Sequence, residues 1–322
     1  MTNNKTPVFL KTLGRQYYLF SLILLVIAVI INANLQKNFF KPVALNGMLI
    51  TFLPLILLAM GQVIVIIGGG IDLSVASIVT MVSTMLVTRM GAEANHQQVC
   101  IALAMGLGAG ILAGVLNGFC VAFLRFQPLV TTFATTSIFT GIAVYVLPTP
   151  GGAVPRFFME PLRAKPLEII MPFWVIFLFL LLWLYLRNTK FGRFLYASGG
   201  QPVSAYYSAV PVDWIRFTTY VLSGGLAALA GLSQTMNFGN GSPLVSGDLT
   251  MNSIVSVVLG GIPLSGGAGG LVGGVIGGFI LIMIQNIISF ANVPNWWQTL
   301  VKGVIVVFAL AGPGIIRVSR RK

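Results

Sequence analysis

The residues from Gly68 to Ser74 (GGGIDLS) carry the clearest chemical signal in this sequence. Each of three consecutive glycines weakens a helix by about 1 kcal/mol relative to alanine, so we expect a helix to end there. Asp72 and Ser74 follow at once, and a carboxylate or hydroxyl at a helix start can accept hydrogen bonds from unpaired backbone amides. An acidic group beside a helix break inside a membrane can also line the path of a transported solute. The residues alone leave both roles open.

Hydroxyl side chains recur at helical spacing further along the chain. Thr132, Thr136 and Thr140 are four residues apart and share one helix face, with further threonines beside them. Hydroxyls suit a pathway for a polyhydroxylated substrate, but they also suit helix packing and bonding to the carbonyl one turn earlier. Asn117 allows the same two interpretations. Thr132, Thr136 and Asn117 therefore join Asp72 and Ser74 as candidate pathway residues.

The segment FGRFLYASGGQPVSAYYSAV, residues 191–210, predicts a short helix outside the membrane. Gly199 and Gly200 are suited to end one element, and Pro202 is suited to the first turn of the next. About two turns would follow at the membrane surface, displaying two tyrosines. An ordinary amphipathic loop is one interpretation, and a helix that a soluble partner grips is the other.

Motifs of enzyme chemistry are missing from this sequence. The dipeptide Gly-Lys does not occur, which excludes a Walker A loop within these residues. There is no HExxH and no CxxC, and the chain has one histidine and six acidic residues. Cys100 and Cys120 indicate neither a disulfide framework nor a metal site. We therefore expect no catalytic residue, no metal and no cofactor.

The elements that must position these residues are transmembrane helices. Hydrophobic residues make up 57% of the chain and charged residues 8%, whereas a soluble domain has roughly 25% charged residues. A helix needs about 20 apolar residues to cross a bilayer. Ten segments meet or approach that length: 17–34, 46–67, 73–90, 99–120, 128–148, 169–186, 214–235, 249–263, 268–290 and 297–316. We predict an all-α, polytopic transmembrane bundle of about ten helices, at least one of them interrupted.

This bundle forms a single predicted domain over 1–322, with 17–316 embedded in the membrane. The net charge of +13 lies in short clusters between apolar segments, which indicates contact with anionic lipid headgroups and not with nucleic acid. If the N-terminus is inside, ten crossings leave most lysines and arginines on the inner side. The positive-inside rule then places both termini and the loop 187–213 in the cytoplasm.

Two glycine-containing stretches are similar to each other. Gly69–Ser74 (GGIDLS) and Gly260–Ser265 (GGIPLS) follow β-branched apolar runs at an offset of 191 residues. Transporters are often built from repeats, with interrupted segments near the substrate path. Two glycine-rich stretches can also match by chance, so both interpretations stay open.

Four motifs resemble, in order along the chain, those of the ribose/xylose/galactose class of ABC importer permeases. GGGIDLSVASIV is similar to that family's GGIDLSVGS, and QPLVTTFATTSIFTG is similar to its PFIVTLGTxxIxRG helix. NTKFGRFLYASGGQPVSAYYSAV resembles its T-x-FGR-x-xYAxGGN-x-x-A-x-x-x-GI coupling segment, and VVLGGIPLSGGAGG resembles its VVIGGxSLxGG stretch. The resemblance runs from about residue 45 to 312.

The resemblance implies a ten-helix permease of the bacterial inner membrane that pairs with a second copy or a sister permease. Cytoplasmic ATP-binding subunits and a periplasmic or extracellular sugar-binding protein would complete the importer. Closure of the ATP-binding subunits would act on the coupling segment. That segment maps here to Gly199, Gly200, Pro202, Ser204, Ala205, Tyr206 and Ser208.

Some residues depart from the family's pattern. Gln201 stands where the family has asparagine, and Ala209-Val210 stands for its Gly-Ile. Thr140 stands for an arginine and Thr250 for an acidic residue. These changes leave the transporter class intact but weaken any inference about which sugar is carried.

The leading hypothesis is a permease subunit of an ABC importer for a pentose- or hexose-like monosaccharide. Import of autoinducer-2, a sugar-like signal, by the same machinery is an alternative. An ion-coupled secondary transporter is a weaker alternative, because only Asp72 is a plausible buried ionisable group for an ion relay.

Overall fold

The computed structural model describes residues 19–244 and 248–291, together with positions 297, 300, 303 and 304. Within these residues the only strand-like feature is an isolated bridge between Gly151 and Gly241. The described helices are α1 (Leu19–Leu35), α2 (Pro42–Ile67), α3 (Val75–Met90), α4 (His96–Gly118), α5 (Pro128–Val146), α6 (Arg156–Arg163), α7 (Met171–Asn188), α8 (Lys190–Gly200), α9 (Pro202–Tyr207), α10 (Val212–Phe238), α11 (Asp248–Leu259) and α12 (Leu271–Phe290). The predicted all-α class is confirmed for this part of the chain.

Six of the described helices are long and apolar enough to cross a membrane. They are α2, α5, α7, α10, α12, and α4 with the π-helical turn Phe119–Phe123 that extends it. The helices α1, α3 and α11 are apolar but shorter. Together they match nine of the ten predicted segments, with ends shifted by a few residues. The tenth segment, 297–316, lies almost entirely outside the described residues.

The helix α2 lies at the centre of the bundle. Every residue from Leu53 to Ile67 is buried, and α10, α11, α12 and α7 all pack against it. Between α4 and α10 the backbones touch, because a methyl group on Gly114 would overlap the carbonyl oxygen of Tyr220. Small residues permit such close packing where lipid removes the hydrophobic driving force between helices.

Two pairs of helices are separated by non-helical breaks. Gly68–Ser74 separates α2 from α3, and residues 260–270 separate α11 from α12. With 16 residues, α3 spans about 24 Å, which is less than the roughly 30 Å of hydrocarbon. If the far end of α3 reaches the membrane surface, the break at its start lies within the apolar layer. The predicted interruption is confirmed.

The helices before the two breaks end in the same way. Gly69 has φ +84° and Gly261 has φ +78°, a conformation that favours glycine. In each case the glycine amide bonds to the carbonyl three residues back, and the next amide bonds to the carbonyl five back, which are the two bonds of a Schellman motif. The equivalent positions are therefore 192 residues apart, one more than the sequence similarity indicates. In this register Asp72 aligns with Leu264 and not with Pro263.

Both long connections contain helices. The segment 149–168 is rich in proline and glycine, as loops often are, yet it includes α6, whose Phe158 and Leu162 are buried. In the segment 187–213, α8 ends at Gly200 and α9 begins at Pro202, as predicted. The side chains of the two tyrosines of α9 are 66% and 84% exposed.

The end of α9 places an alanine where glycine is favoured. Ala209 has φ +58°, and its amide bonds to the Tyr206 carbonyl while the Val210 amide bonds to that of Ala205. This is a third Schellman motif. Ala209, the residue with positive φ in this motif, stands where the permease family that the sequence resembles has glycine.

We predict that Ala209→Gly stabilises the protein. An alanine held at a positive φ destabilises the folded state by roughly 1–2 kcal/mol. Glycine removes this strain, but its greater backbone entropy in the unfolded state offsets about 0.4–1 kcal/mol of the gain. The net gain of about 0.5–1 kcal/mol should raise the thermal midpoint in detergent by about 1–3 °C. Ala197→Gly, inside α8, is the matched control and should lower the midpoint. A lower midpoint for Ala209→Gly would contradict the assigned backbone geometry.

Candidate functional site

The break between α2 and α3 is the centre of the candidate site. Hydrocarbon cannot hydrogen-bond freed peptide groups, so protein groups must do so. Asp72 and Ser74 have no exposed surface. The partners of these two buried side chains must therefore come from the break itself or from neighbouring helices.

The carboxylate of Asp72 accepts three hydrogen bonds. Ser74 donates its backbone N–H at 2.9 Å and its hydroxyl at 2.7 Å to Oδ1. Ser223 of α10 donates its hydroxyl to Oδ2 at 3.0 Å. The bond from the Ser74 amide to Asp72 spans two residues, as in an Asx turn that precedes α3. Ser74 itself is the N-cap residue of α3, and no side-chain cap bond forms there. Asp72 thus joins the start of α3 to α10.

A chain of side-chain hydrogen bonds extends from Ser74 across two more helices. The Asn117 Nδ2 donates to the Ser74 hydroxyl at 2.7 Å, and Asn117 Oδ1 accepts the Thr135 hydroxyl at 2.7 Å. Asn117 belongs to α4 and Thr135 to α5. We use the term polar core for the five buried residues Asp72, Ser74, Asn117, Thr135 and Ser223. A buried network with its partners in place holds one arrangement of the helices.

Threonines hold the backbone of Leu73. Its N–H donates to Thr132 Oγ1 at 3.0 Å. Its carbonyl accepts from Thr136 and from Thr250 of α11, each at 3.2 Å. Thr136 also lies 2.8 Å from the Thr132 carbonyl, so its hydroxyl is shared between the two carbonyls. Both peptide groups of Leu73 are therefore bonded to side chains of α5 and α11.

Gln62 of α2 pairs with the backbone of Asp72. The amide is fully buried. In the orientation that satisfies both of its ends, its nitrogen donates to the Asp72 carbonyl at 3.1 Å and its oxygen accepts the Asp72 N–H at 3.3 Å. This contact ties the break back to the central helix.

The structure brings all five candidate pathway residues together at this break. Asp72, Ser74, Asn117 and Thr132 are buried, and Thr136 is half-buried. They bond to one another and to backbone in this conformation, so their role in a pathway stays a prediction. Sequence reasoning missed the contributions of Gln62 and Ser223, and it noted Thr250 only as a departure from the family pattern. A lone glutamine in an apolar run is the signal that could have found Gln62, because buried polar groups in membranes need partners.

The C-terminal end of α8 contacts the break through backbone atoms. A methyl group on Gly199 would overlap the Ile67 carbonyl oxygen, and the Gly267 amide donates to that same oxygen at 3.0 Å. Gly267 has φ +70° and its Cα faces Gly200. The ends of α2 and α8 and the loop 260–270 thus meet so closely that a side chain on Gly199 or Gly267 would overlap backbone atoms. We use the term glycine contact for Ile67, Gly199, Gly200, Gly266 and Gly267.

The remaining residues predicted to take part in coupling lie on α9 or immediately after it. Pro202, Ser204 and Tyr206 are exposed, and Ala205 is buried against Val210. Ser208 is exposed and donates its hydroxyl to the Ser204 carbonyl at 3.0 Å. The polar face of α9 is therefore open to solvent.

The sequence profile of one protein family matches residues 44–310, and that family is described as branched-chain amino acid transport system / permease component. The ribose import permease protein of Escherichia coli (strain K12) is 32% identical over 298 residues, covering 90% of this chain and 91% of the relative. The Bacillus subtilis (strain 168) ribose import permease protein is 31% identical, covering 89% and 88%. The autoinducer 2 import system permease protein of Escherichia coli (strain K12 / DH10B) is 32% identical, covering 82% and 77%. No solved structure matches significantly.

We predict that Ser223→Ala destabilises the protein by about 1 kcal/mol, the scale measured for hydrogen bonds between membrane helices. The substitution leaves one carboxylate oxygen of the buried Asp72 without its donor. Unfolding of the purified protein in mixed micelles measures the change.

Ser21→Ala is the matched control for this prediction. The Ser21 hydroxyl is also buried, but it has no hydrogen-bond partner among the described residues. Its removal should leave stability unchanged or slightly raised. Equal losses for the two alanine variants would refute the assigned bond to Asp72.

Proposed function

Because this chain belongs to the family of membrane permease components matched above, we propose that it is the membrane-spanning subunit of an ABC importer for a pentose- or hexose-like monosaccharide. Two of the relatives that cover about nine-tenths of it are ribose import permeases. Its sequence has no nucleotide-binding loop, so ATP hydrolysis falls to separate cytoplasmic subunits. The observation that carries the proposal is a broken helix with a hydroxyl- and amide-rich core in a chain that matches import permeases almost end to end.

The candidate pathway in this proposal is the polar core with its neighbouring threonines. Asp72, Ser74, Asn117, Thr132 and Thr136 supply hydroxyl, amide and carboxylate groups around one helix break. A sugar offers both donors and acceptors, so it can replace the bonds these groups now make to each other when the helices separate. The same bonds hold the groups in place while the site is empty.

The glycine contact is the proposed route by which ATP-binding subunits act on the core. Those subunits press on α9, through Pro202, Ser204, Ala205, Tyr206 and Ser208. Gln201 alone separates α9 from α8, so displacement of α9 moves the end of α8. Backbone contacts deform little, which is why the displacement reaches the break.

The other proposed partners follow from the family. A second copy or a sister permease completes the pathway, and a periplasmic or extracellular sugar-binding protein delivers the substrate to the outer face. The bacterial inner membrane is the proposed location, with both termini and the segment 187–213 in the cytoplasm. Autoinducer-2 is the second candidate substrate, favoured by the permease relative that covers 82% of this chain.

We predict ATP-dependent uptake of labelled ribose by proteoliposomes that contain this chain, its ATP-binding subunits and its sugar-binding protein. Liposomes with the chain alone, under a proton or sodium gradient, are the control. Uptake by the chain alone would contradict the proposal and favour a secondary transporter.

We predict that Gly199→Ala lowers ATP-dependent uptake by about tenfold or more, because its methyl group overlaps the Ile67 carbonyl oxygen. Gly200→Ala is the matched control, since its methyl group would meet only the Gly267 Cα, at 3.7 Å. Uptake and ATPase rates should be measured for both variants at equal amounts of inserted protein. Loss of uptake in Gly200→Ala with normal uptake in Gly199→Ala would contradict the glycine contact.

A further inference from the structure

A groove of about 560 Å³ opens beside α9. One wall is α9 itself, with Pro202, Val203 and the two tyrosines. The rest of the lining comes from residues 121–128, which run from the π-helical turn to the start of α5, and from the first residues of α10. The groove therefore adjoins the surface on which the proposed ATP-binding subunits act.

The charged side chains of the groove favour an anion. Two arginines, Arg125 and Arg216, line it with a single acid, Asp213. The Arg216 Nε is buried and has no hydrogen-bond partner among the described residues. A buried donor without an acceptor is destabilising, and a carboxylate oxygen would remove that penalty. Arginine also binds carboxylates through two parallel hydrogen bonds, which adds geometric specificity.

The aromatic rim of the groove points to a protein as the source of the anion. Val203, Tyr206 and Tyr207 on α9 are all largely exposed. Tyrosine and arginine are enriched in protein interfaces, where the aromatic ring supplies contact area and the guanidinium supplies directed bonds. Tyrosine also lies at lipid headgroups in membrane proteins, so the experiment below separates a lipid from a protein.

We propose that this groove receives an aspartate or glutamate side chain of the cytoplasmic ATP-binding subunit, bound between Arg125 and Arg216. The inference rests on the proposed function, because it names the contact by which that subunit grips α9. The subunit then contacts this chain at two places, because α9 packs against its surface and the groove binds its carboxylate. A partner that is held can pull α9 as well as push it.

The test is the affinity of the purified ATP-binding subunit for this chain in lipid nanodiscs, measured by biolayer interferometry at several salt concentrations. The double variant Arg125→Gln/Arg216→Gln should bind about tenfold more weakly, with a flatter salt dependence. Arg89→Gln is the matched control, because Arg89 is exposed in the last turn of α3, outside both the groove and the coupling segment, and it should change affinity by less than about twofold. Asp213→Asn removes the acid and should strengthen binding by about twofold to fivefold.

Three outcomes would overturn the inference, and they are distinguishable. If the wild-type chain binds the subunit and neither the double variant nor Asp213→Asn changes the affinity, the groove is not the contact and the proposed function stands. If the double variant changes only the dependence of binding on phosphatidylglycerol in the nanodisc, the groove holds a lipid headgroup. If the wild-type chain does not bind an ATP-binding subunit at all, the proposed function itself fails.

Discussion

A helix that breaks inside a membrane must find hydrogen-bond partners within the protein, and this constraint organises the structure. The peptide groups between α2 and α3 cannot bond to lipid. They bond instead to side chains of several helices, among them Thr132 on α5 and Thr250 on α11. The break therefore fixes the positions of helices that are far apart in sequence. A substitution at any of these partners should therefore shift the positions of the others.

The same constraint connects stability with transport. Polar groups that satisfy a broken backbone are also the groups a sugar could bind, so the bundle needs no second set of polar residues for its cargo. The cost is that the proposed pathway is closed whenever these groups bond to one another. In the proposed function, opening it requires work from outside the bundle. The contact of Gly199 with the end of α2 would give that work a short route from α8 to the break.

Some of this architecture follows from the sequence and some does not. Apolar runs predict the spans, the three glycines predict the break, and Pro202 predicts the start of α9, because each signal acts within a few residues. The pairing of Asp72 with Ser223 spans 151 residues, and a serine in a small-residue helix gives no local sign of it. The helix α6 was missed because its prolines and neighbouring glycines favour a loop. The backbone hydrogen bonds pair Gly69 with Gly261, whereas the sequence similarity pairs Gly69 with Gly260. Only the structure could show this shift of one residue.

Hydrogen–deuterium exchange across the break tests the central claim most directly. The protein in lipid nanodiscs would be exchanged, digested and analysed for peptides covering residues 68–74, with the exposed loop residues Ala92 and Glu93 after α3 as the reference. We predict that the amides of Leu73 and Ser74 exchange as slowly as those within α2, since side chains of the protein bond them. Exchange as fast as that of the exposed loop would show that water reaches the break and that the polar core does not close it.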